Sequence, residues 1–472
     1  VVILPVVQCW ESPLGIDQSA LRVYLLAMQS NIEALKKYAK WLEYAYVVIL
    51  LAALTQGPVF KLWLASAQSS ATPIPMTYQL TFVIVQLPAL LLLGRRMRWS
   101  WPQSVPVALV GAFCLWMVLS TVWATSGRDT IIEATTLALT AATGVYIARS
   151  FTHIQQIVLV VLAMQPGVLF SYLAAKRNWE FALSIEGHWN GIYFNRNSLA
   201  PVAAVGMLAA ASILFVTVAR RRRNWWPVTA MVLAGIAVLD GYVLYRTRSS
   251  TSIGAIAVFV AVWGCWSVIR ILHRRNLLTL AQIEKFGYGI FMVGAAMTTW
   301  MILRSQEVVL RWLNQESFFN GRTAIWNYGF SGFLDRPIFG WGWMSAWKSS
   351  IFMKRDLWWT VEGVEFSHSS YIDVLLGGGM IGAVLFLVAF VWGGFVQIRH
   401  AVLSTAGQWT YAIMFFVLVS ATQESFVVGD HFMWVLLVAA ISGPGRPEIM
   451  SDDLPEVVLD AEGSTALRAT TT

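Results

Sequence analysis

Charged side chains are scarce in this chain: Asp, Glu, Lys and Arg make up 12% of its 472 residues, about half the share of an ordinary soluble domain. With 57% of the residues hydrophobic, that scarcity excludes a soluble globular enzyme. Cysteine is nearly absent. Cys9, Cys114 and Cys265 are an odd number, and the last two sit inside apolar blocks, so neither a disulfide framework nor a cysteine metal cluster follows. Also missing are a phosphate-binding P-loop lysine, an HExxH pair, a CxxC pair, and an Asp-x-Asp of the kind a nucleotide-sugar enzyme uses to hold a metal. Nucleotide-driven and metal-driven chemistry are unsupported, and no cofactor or metal is expected. The apolar opening Val1 to Val7 is too short for the core of a signal peptide with its cleavage site, so the start is expected to reflect processing or preparation.

What the chain does have is apolar blocks of roughly 17 to 25 residues, the length that crosses about 30 Å of hydrocarbon at about 1.5 Å per helical residue. They predict an all-α polytopic membrane protein of about twelve transmembrane helices, at 43–63, 77–94, 105–124, 130–148, 155–174, 198–219, 227–245, 251–270, 287–303, 371–396, 409–425 and 429–443. Lysine and arginine total 33 against 25 acids, a net charge of +8. Those basic residues cluster in short loops, so topology explains them without a nucleic-acid partner. Lys36, Lys37 and Lys40 precede the first predicted helix; Arg95, Arg96 and Arg98 follow the second and Arg149 the fourth. Arg220, Arg221, Arg222 and Arg223 follow the sixth, Arg270, Arg274, Arg275 and Lys285 lie between the eighth and ninth, and Arg399 follows the tenth. All fall on one side, cytoplasmic by the positive-inside rule, as do both termini.

The domain plan is therefore a cytoplasmic N-terminal segment 1–42, a transmembrane domain 43–443, and a tail 444–472 that lacks a core pattern and is expected to be disordered. Two connections on the other face stand out by length, 175–197 and 304–370. The second, before the tenth helix, far exceeds the roughly two to eight residues usual between neighbouring helices. An ordinary extracytoplasmic cap and a functional loop both fit that length. Many of the 24 tryptophans stand near predicted helix ends, as in Trp99 and Trp101, Trp225 and Trp226, and Trp341, Trp343 and Trp347. Interfacial anchoring accounts for most of them; the remainder are free to stack on sugar rings. The run Gly377-Gly378-Gly379-Met380-Ile381-Gly382 formally matches the dinucleotide fingerprint, but it opens a membrane helix and follows no strand. Close helix packing through small residues is its reading.

Histidines divide by side. His153, His273 and His400 fall at cytoplasmic helix ends, and His188, His368 and His431 on the other face. A lone histidine is usually structural, which is the reading for His188 and His431. His368 differs by standing where the long loop meets the tenth helix, in Phe366-Ser367-His368-Ser369-Ser370-Tyr371. The same face gathers Arg196, Arg246, Arg248 and Arg322, against the charge bias. Each guanidinium alone is explained by snorkelling to headgroups; several together suggest an anion, because the fork matches phosphate oxygens. A lipid-linked diphosphate is the anion at that depth. Asp240 lies about two turns before Arg248, where it can neutralise one of these arginines.

These residues resemble the O-antigen ligase and Wzy polymerase superfamily, in the family's order. Gly191-Ile192-Tyr193-Phe194-Asn195-Arg196-Asn197-Ser198-Leu199-Ala200 resembles its G-I-F-x-H-K-N-x-L-A/G segment, and Thr247-Arg248-Ser249-Ser250-Thr251-Ser252 its small-polar run opening a helix. Gly321-Arg322-Thr323 with Trp326, then Arg336-Pro337-Ile338-Phe339-Gly340-Trp341-Gly342, resembles G-R-x-x-x-W … R-P-x-x-G-x-G. His368-Ser369, followed by nine residues and then Gly379, resembles H-[N/S/Q]-x9-G. The resemblance covers about 190–440 and implies a fold like that of the GT-C membrane glycosyltransferases. It implies that His368 is the essential histidine, that Arg322 contacts diphosphate, and that Arg248 or Arg246 is the second contact. Arg196 joins these as a donor-binding residue, with Asn197, Ser369, Tyr371, Asp240 and Glu424 supporting. Two positions depart from the pattern. Asn195 replaces a histidine, which removes proton transfer there, and Ser250 stands where a basic residue is frequent, which leaves Arg248 two places early.

The function so implied is transfer of a glycan from a polyprenyl diphosphate to a sugar hydroxyl at the outer face of the bacterial inner membrane, inverting and metal-independent. The partners are the lipid-linked donor, a glycan or glycolipid acceptor, membrane lipids and other polysaccharide-assembly proteins. Ligase and polymerase share this chemistry and differ only in the acceptor, which these residues do not decide. A transporter or flippase of lipid-linked glycans remains the alternative. It would show an internal repeat with helices interrupted at the midplane. A lipid-binding scaffold would need the arginines but not His368.

Overall fold

A computed structural model describes residues 18–59, 76–97, 104–220, 226–289, 322–349, 366–427 and 429–443. The chain divides into two compact units, Val1–Leu50 and Leu51–Thr472. Helix α1, Gln18–Leu54, supplies the described part of the first unit and runs into the second. The second unit continues with α2 (Met76–Arg96), α3 (Val105–Leu119), α4 (Gly127–Ser150), α5 (His153–Lys176) and α6 (Arg196–Arg220). After these come α7 (Trp226–Thr247), α8 (Ser250–Arg274), α9 (Arg322–Asp335), α10 (Ser370–Leu403), α11 (Thr405–Ser420) and α12 (Phe432–Ser442). Among the described residues the regular structure of the unit is helical apart from one isolated bridge, Leu183 to Trp189.

Local chemistry sets where these helices start. At α5 the Thr152 hydroxyl accepts from Gln155 N while the Gln155 side chain accepts from Thr152 N at 3.0 Å, a reciprocal cap that uses two orphan amides. Ser404 Oγ accepts from Gly407 N at 2.9 Å to begin α11, and His431 Nδ1 accepts from Met433 N at 3.2 Å to begin α12. The helices pack in neighbouring pairs: α6 with α7, α8 with α11, α5 with α6, α3 with α10, and α4 with both α2 and α12. Every residue of α12 is buried, as a helix apolar on all sides requires.

Seven helices are long and apolar enough to cross a membrane: α3 with its 3-10 extension to Val122, α4, α5, α6, α7, α8 and α10. Three apolar helices are shorter: Leu80–Arg95, Thr405–Ser420 and Phe432–Ser442. This is the make-up of a polytopic integral membrane protein. The expectation of about twelve crossings meets seven such helices among the described residues. Of the helix expected at 287–303, residues 287–289 are helical and the rest lies outside the described residues. The tail 444–472, residues 1–17 with Cys9, Trp99, Trp101 and Trp225 also lie outside them.

Three expectations are corrected. The helix placed at 409–425 ends at Ser420, because the backbone beyond it bonds to the first turn of α10. There Ser370 N donates to Ala421 O at 2.9 Å, and Ser370 Oγ accepts from Phe426 N at 2.8 Å and Val427 N at 3.0 Å. Trp341, Trp343 and Trp347, grouped with the interfacial anchors, are buried at 3%, 0% and 2% exposure. Last, α10 is not one continuous helix: Gly379 breaks it at φ 63° and ψ −163°, a conformation open almost only to glycine.

That break positions the site. The loop after α9 lies along it, with Trp341 N donating to Leu376 O at 2.8 Å, Gly342 N to Gly377 O at 3.0 Å, and Met380 N to Pro337 O at 2.8 Å. A Cβ on Gly379 would lie 2.2 Å from Ile338 O. The glycine run therefore packs closely on two sides: Gly378 and Gly382 lie against Met117 and Trp116 of α3, the helix packing its composition suggested, while Gly377 and Gly379 lie against the loop after α9.

Candidate active site

His368 sits immediately before α10 in a left-handed conformation, φ 55°, which asks for local support in a residue with a side chain. Support comes from both sides. Ser367 N donates to Asp373 Oδ1 at 3.0 Å, Ser367 Oγ donates to Ser369 O at 2.7 Å, and Ser369 N donates back to Ser367 Oγ at 3.1 Å. Trp326, on α9, donates its indole N–H to Ser367 O at 3.0 Å. Asp373 is buried and also accepts from Ser425 Oγ, tying the first turn of α10 to the loop 421–427.

That loop brings the two sequence-predicted principals together. Arg322, the first residue of α9, donates through Nη1 to Gln423 O and through Nη2 to Glu424 Oε1 at 2.6 Å. Oε2 of the same carboxylate lies 3.7 Å from His368 Nδ1, too far for a hydrogen bond. Nδ1 is buried and has no hydrogen-bond partner among the described residues. The His368 side chain is 30% exposed, whereas Arg322 and Glu424 are 14% and 13% exposed. Removing one member of so buried an ion pair typically costs about 3–5 kcal/mol. A guanidinium carries about five N–H donors, so the bonds to Gln423 and Glu424 leave others for a ligand.

The helix α8 begins beside this cluster. Thr251 Oγ1 donates to Gln423 Oε1 at 2.6 Å, next to the carbonyl that receives Arg322. Ser249 stands at the N-cap of α8 without a side-chain capping bond, leaving first-turn amides available to an anion. Just before it, Arg248 is exposed at φ 55°, its guanidinium 5.0 Å above the Tyr245 ring.

Other predicted residues go elsewhere. Arg196 pairs with Glu186 at 3.3 Å, and Glu186 also meets His188 Nε2 at 3.1 Å. Arg246 stacks over Trp189 at 4.9 Å while its carbonyl accepts from Trp189 N at 3.2 Å. Both arginines, on α6 and α7, are thus engaged by side chains of the connection 177–195. Asp240 is buried and accepts from Gln165 Nε2 at 2.9 Å; its partner is an amide on α5, which corrects its reading as an arginine's counter-charge. Tyr371 donates to Leu418 O at 2.9 Å, Ser369 is the buried N-cap of α10, and Asn197 is half-buried in the first turn of α6. Asn195, where a histidine is frequent, accepts from Ser198 N at 2.9 Å and so caps α6.

Sequence reasoning missed Asp373, Gln423, Ser425 and the three-way use of Ser370. An acid in the first turn of a helix is a legible signal, and Asp373 has that position. His431 supports the same loop from its other end. It stacks on Phe426 with ring centroids 4.7 Å apart, and burial pushes its pKa down to about 3, which keeps Nδ1 an acceptor for the α12 cap. Two cavities of about 10 Å³ lie within the helix packing, lined by side chains such as Trp409 and Trp434 and not by the residues around His368. Of the long loop expected at 304–370, residues 304–321 and 350–365 lie outside the described residues.

Residues 192–387 match the family model described as O-antigen ligase (Wzy_C), a stretch that holds Arg196, Arg248, Arg322 and His368 but ends before Glu424. Over 217 residues the chain is 24% identical to Exopolysaccharide production protein ExoQ of Rhizobium meliloti (strain 1021). That alignment covers 44% of this chain and 47% of the relative, so the chain matches about half the length of the curated relative. No solved structure matches the chain. The stretch that carries the predicted arginines and histidine is thus similar to the O-antigen ligase and Wzy polymerase superfamily.

Proposed function

We propose that the protein transfers a glycan from a polyprenyl diphosphate donor to a sugar hydroxyl at the outer face of the cytoplasmic membrane, as a surface-polysaccharide polymerase or ligase. The observation that carries this reading is the convergence of Arg322 and His368 on one carboxylate, Glu424. An imidazole and a guanidinium held together at a helix end suit a reaction in which a hydroxyl loses a proton while a diphosphate gains charge.

The acceptor oxygen forms a bond to the anomeric carbon as the bond from that carbon to the diphosphate oxygen breaks. The electron pair leaves with the lipid diphosphate, and the hydroxyl proton goes to His368. Attack opposite the leaving group inverts the anomeric centre. Because the donor is already activated, neither nucleotide nor metal is required. Arg322 and Arg248 stabilise the leaving charge more in the transition state than in the ground state. A base so placed contributes about 10²- to 10⁴-fold. The name of the relative, an exopolysaccharide production protein, agrees with a polysaccharide product.

The test is incubation of the full chain in nanodiscs with a lipid-diphosphate glycan and a glycan acceptor, without nucleotide and with a chelator. Product formation is expected. His368→Ala should lower it by at least about 10²-fold at unchanged protein level, and near-normal transfer by that variant would remove His368 from the chemistry. Movement of the donor across the bilayer with no new glycosidic bond would favour a flippase instead.

A further inference from the structure

We propose that Glu424 is a positioning residue that serves both halves of the transfer: it holds Arg322 until a diphosphate takes over the guanidinium, and it then orients His368 through Nδ1. The inference rests on the transfer reading above and adds a residue outside the matched family stretch.

Four observations carry it. The carboxylate is divided, with Oε1 on Arg322 at 2.6 Å and Oε2 facing His368 Nδ1 at 3.7 Å. Nδ1 is buried without a hydrogen-bond partner among the described residues, and a buried polar atom left unmade is costly. Closing the gap to hydrogen-bond distance requires movement of about 1 Å, which a glutamate side chain makes by rotation alone. The backbone beneath it stays put, because Ser370 Oγ donates to Glu424 O at 3.0 Å and accepts from Phe426 N and Val427 N.

Among the described residues, the remaining charged groups around His368 are accounted for. Asp373 is committed to Ser367 and Ser425, and Arg322 reaches the histidine only through Glu424. Among these, Glu424 is the group with an oxygen to offer Nδ1. A hydrogen bond there fixes the tautomer with the Nε2 lone pair open, the form that accepts a proton from a hydroxyl. The proton passes from the acceptor oxygen to Nε2; Nδ1 keeps its own, and Glu424 stays ionised. Glu424 and the diphosphate compete for one guanidinium, that of Arg322, so arrival of the diphosphate is what releases Glu424 towards His368. The base becomes oriented when the leaving group is in place.

This arrangement predicts an unusual pair of kinetic effects. Glu424→Gln keeps the shape and removes the charge, so Arg322 is held less tightly and is freer for the donor, while His368 loses its anionic partner. The donor KM should fall several-fold and kcat should fall by about 10²-fold. Direct binding of the lipid-diphosphate donor, measured in a His368→Ala background where no turnover occurs, should tighten when Glu424→Gln is added. A purely structural role would instead raise KM or leave binding weaker, and either result, like an unchanged kcat, overturns the proposal. If Glu424→Gln does not accumulate, Glu424→Asp serves, since it keeps the charge but withdraws it by one methylene. The same split at smaller size is then expected, and a raised donor KM overturns the idea. The two readings fail separately: transfer by His368→Ala sinks the mechanism itself, whereas inactive His368→Ala with normal Glu424→Gln sinks only the role of Glu424.

Discussion

Arginine illustrates how residue type and residue position divide the information. The sequence marked Arg196, Arg246, Arg248 and Arg322 as basic side chains against the topological bias, but it could not say what each touches, because ring stacking and ion pairing leave no trace in spacing. Arg246 lies over Trp189 at 4.9 Å and Arg196 is paired with Glu186. Arg248 is exposed beside the uncapped start of α8, two residues before a serine and a threonine-anchored turn bound to Gln423. Arg248 also stacks on a ring, Tyr245 at 5.0 Å, but its exposure beside the α8 start is the ground on which we propose it as the second diphosphate contact. A charge-assisted hydrogen bond contributes about 1.5–3 kcal/mol. Arg248→Ala should therefore lower kcat/KM for the donor by about 10- to 100-fold, read in the nanodisc assay. Arg246→Ala should leave kcat/KM within about threefold of the parent while lowering the melting temperature, since its main loss is a cation–π contact of about 0.5–2 kcal/mol. Equal losses in transfer from the two variants would reject the assignment.

At the scale of elements, hydropathy located the helices well and their interruptions poorly. The predicted segments at 130–148, 155–174, 198–219, 227–245 and 251–270 fall within α4, α5, α6, α7 and α8, because an apolar run of the right length has little choice in a membrane but to close its backbone hydrogen bonds internally. The same argument hides a break. Leu376 and Gly377 give their carbonyls to Trp341 and Gly342, so the bonds are satisfied and the composition stays apolar, and nothing in hydropathy changes. The break brings two separate sequence motifs together: Gly379, nine intervening residues beyond the His368-Ser369 pair, and the distant Gly340 meet in one backbone joint. Alanine at Gly379 must adopt φ 63°, ψ −163°, with Cβ 2.2 Å from Ile338 O. Such a conformation costs about 1–3 kcal/mol before the clash is added. Gly379→Ala should lower the yield of folded protein and the melting temperature, and loosen α9 so that Arg322 is misplaced and transfer falls. Gly264→Ala, in the middle of α8 with open space around its Cβ, is the control and should change neither.

At the scale of the whole molecule, the site is a joint between distant parts of the chain, and that is why so little of it could be read in advance. Glu424 was placed in a helix ending at 425, yet the segment after Ser420 is a turn whose amides and carbonyls bond to α10; only the tertiary partner makes it a turn. The far end of that turn carries two adjacent titrating groups with opposite effects on stability. Burial pushes His431 down to about 3, so between about 6.5 and 3 the unfolded chain binds a proton that the folded chain refuses, and the folded state loses stability as the pH falls through that window. Burial first, and then the nearby Glu133 charge, push Asp430 up to about 7. The folded chain therefore holds a proton that the unfolded chain releases near 4, and the folded state loses stability as the pH rises from about 4 to 7. Across about pH 4 to 6.5 the two slopes oppose each other, and the loop should melt with little pH dependence from this pair. Each variant uncovers the other group. His431→Gln leaves the aspartate's slope, so the melting temperature in nanodiscs should rise on going from pH 7 to pH 5, relative to the parent. Asp430→Asn leaves the histidine's slope, and its melting temperature should drop over the same change. Parallel shifts in the two variants would show that the turn is not held by these protonation states, and the picture of a neutral histidine capping α12 behind the Glu424 loop would have to be given up.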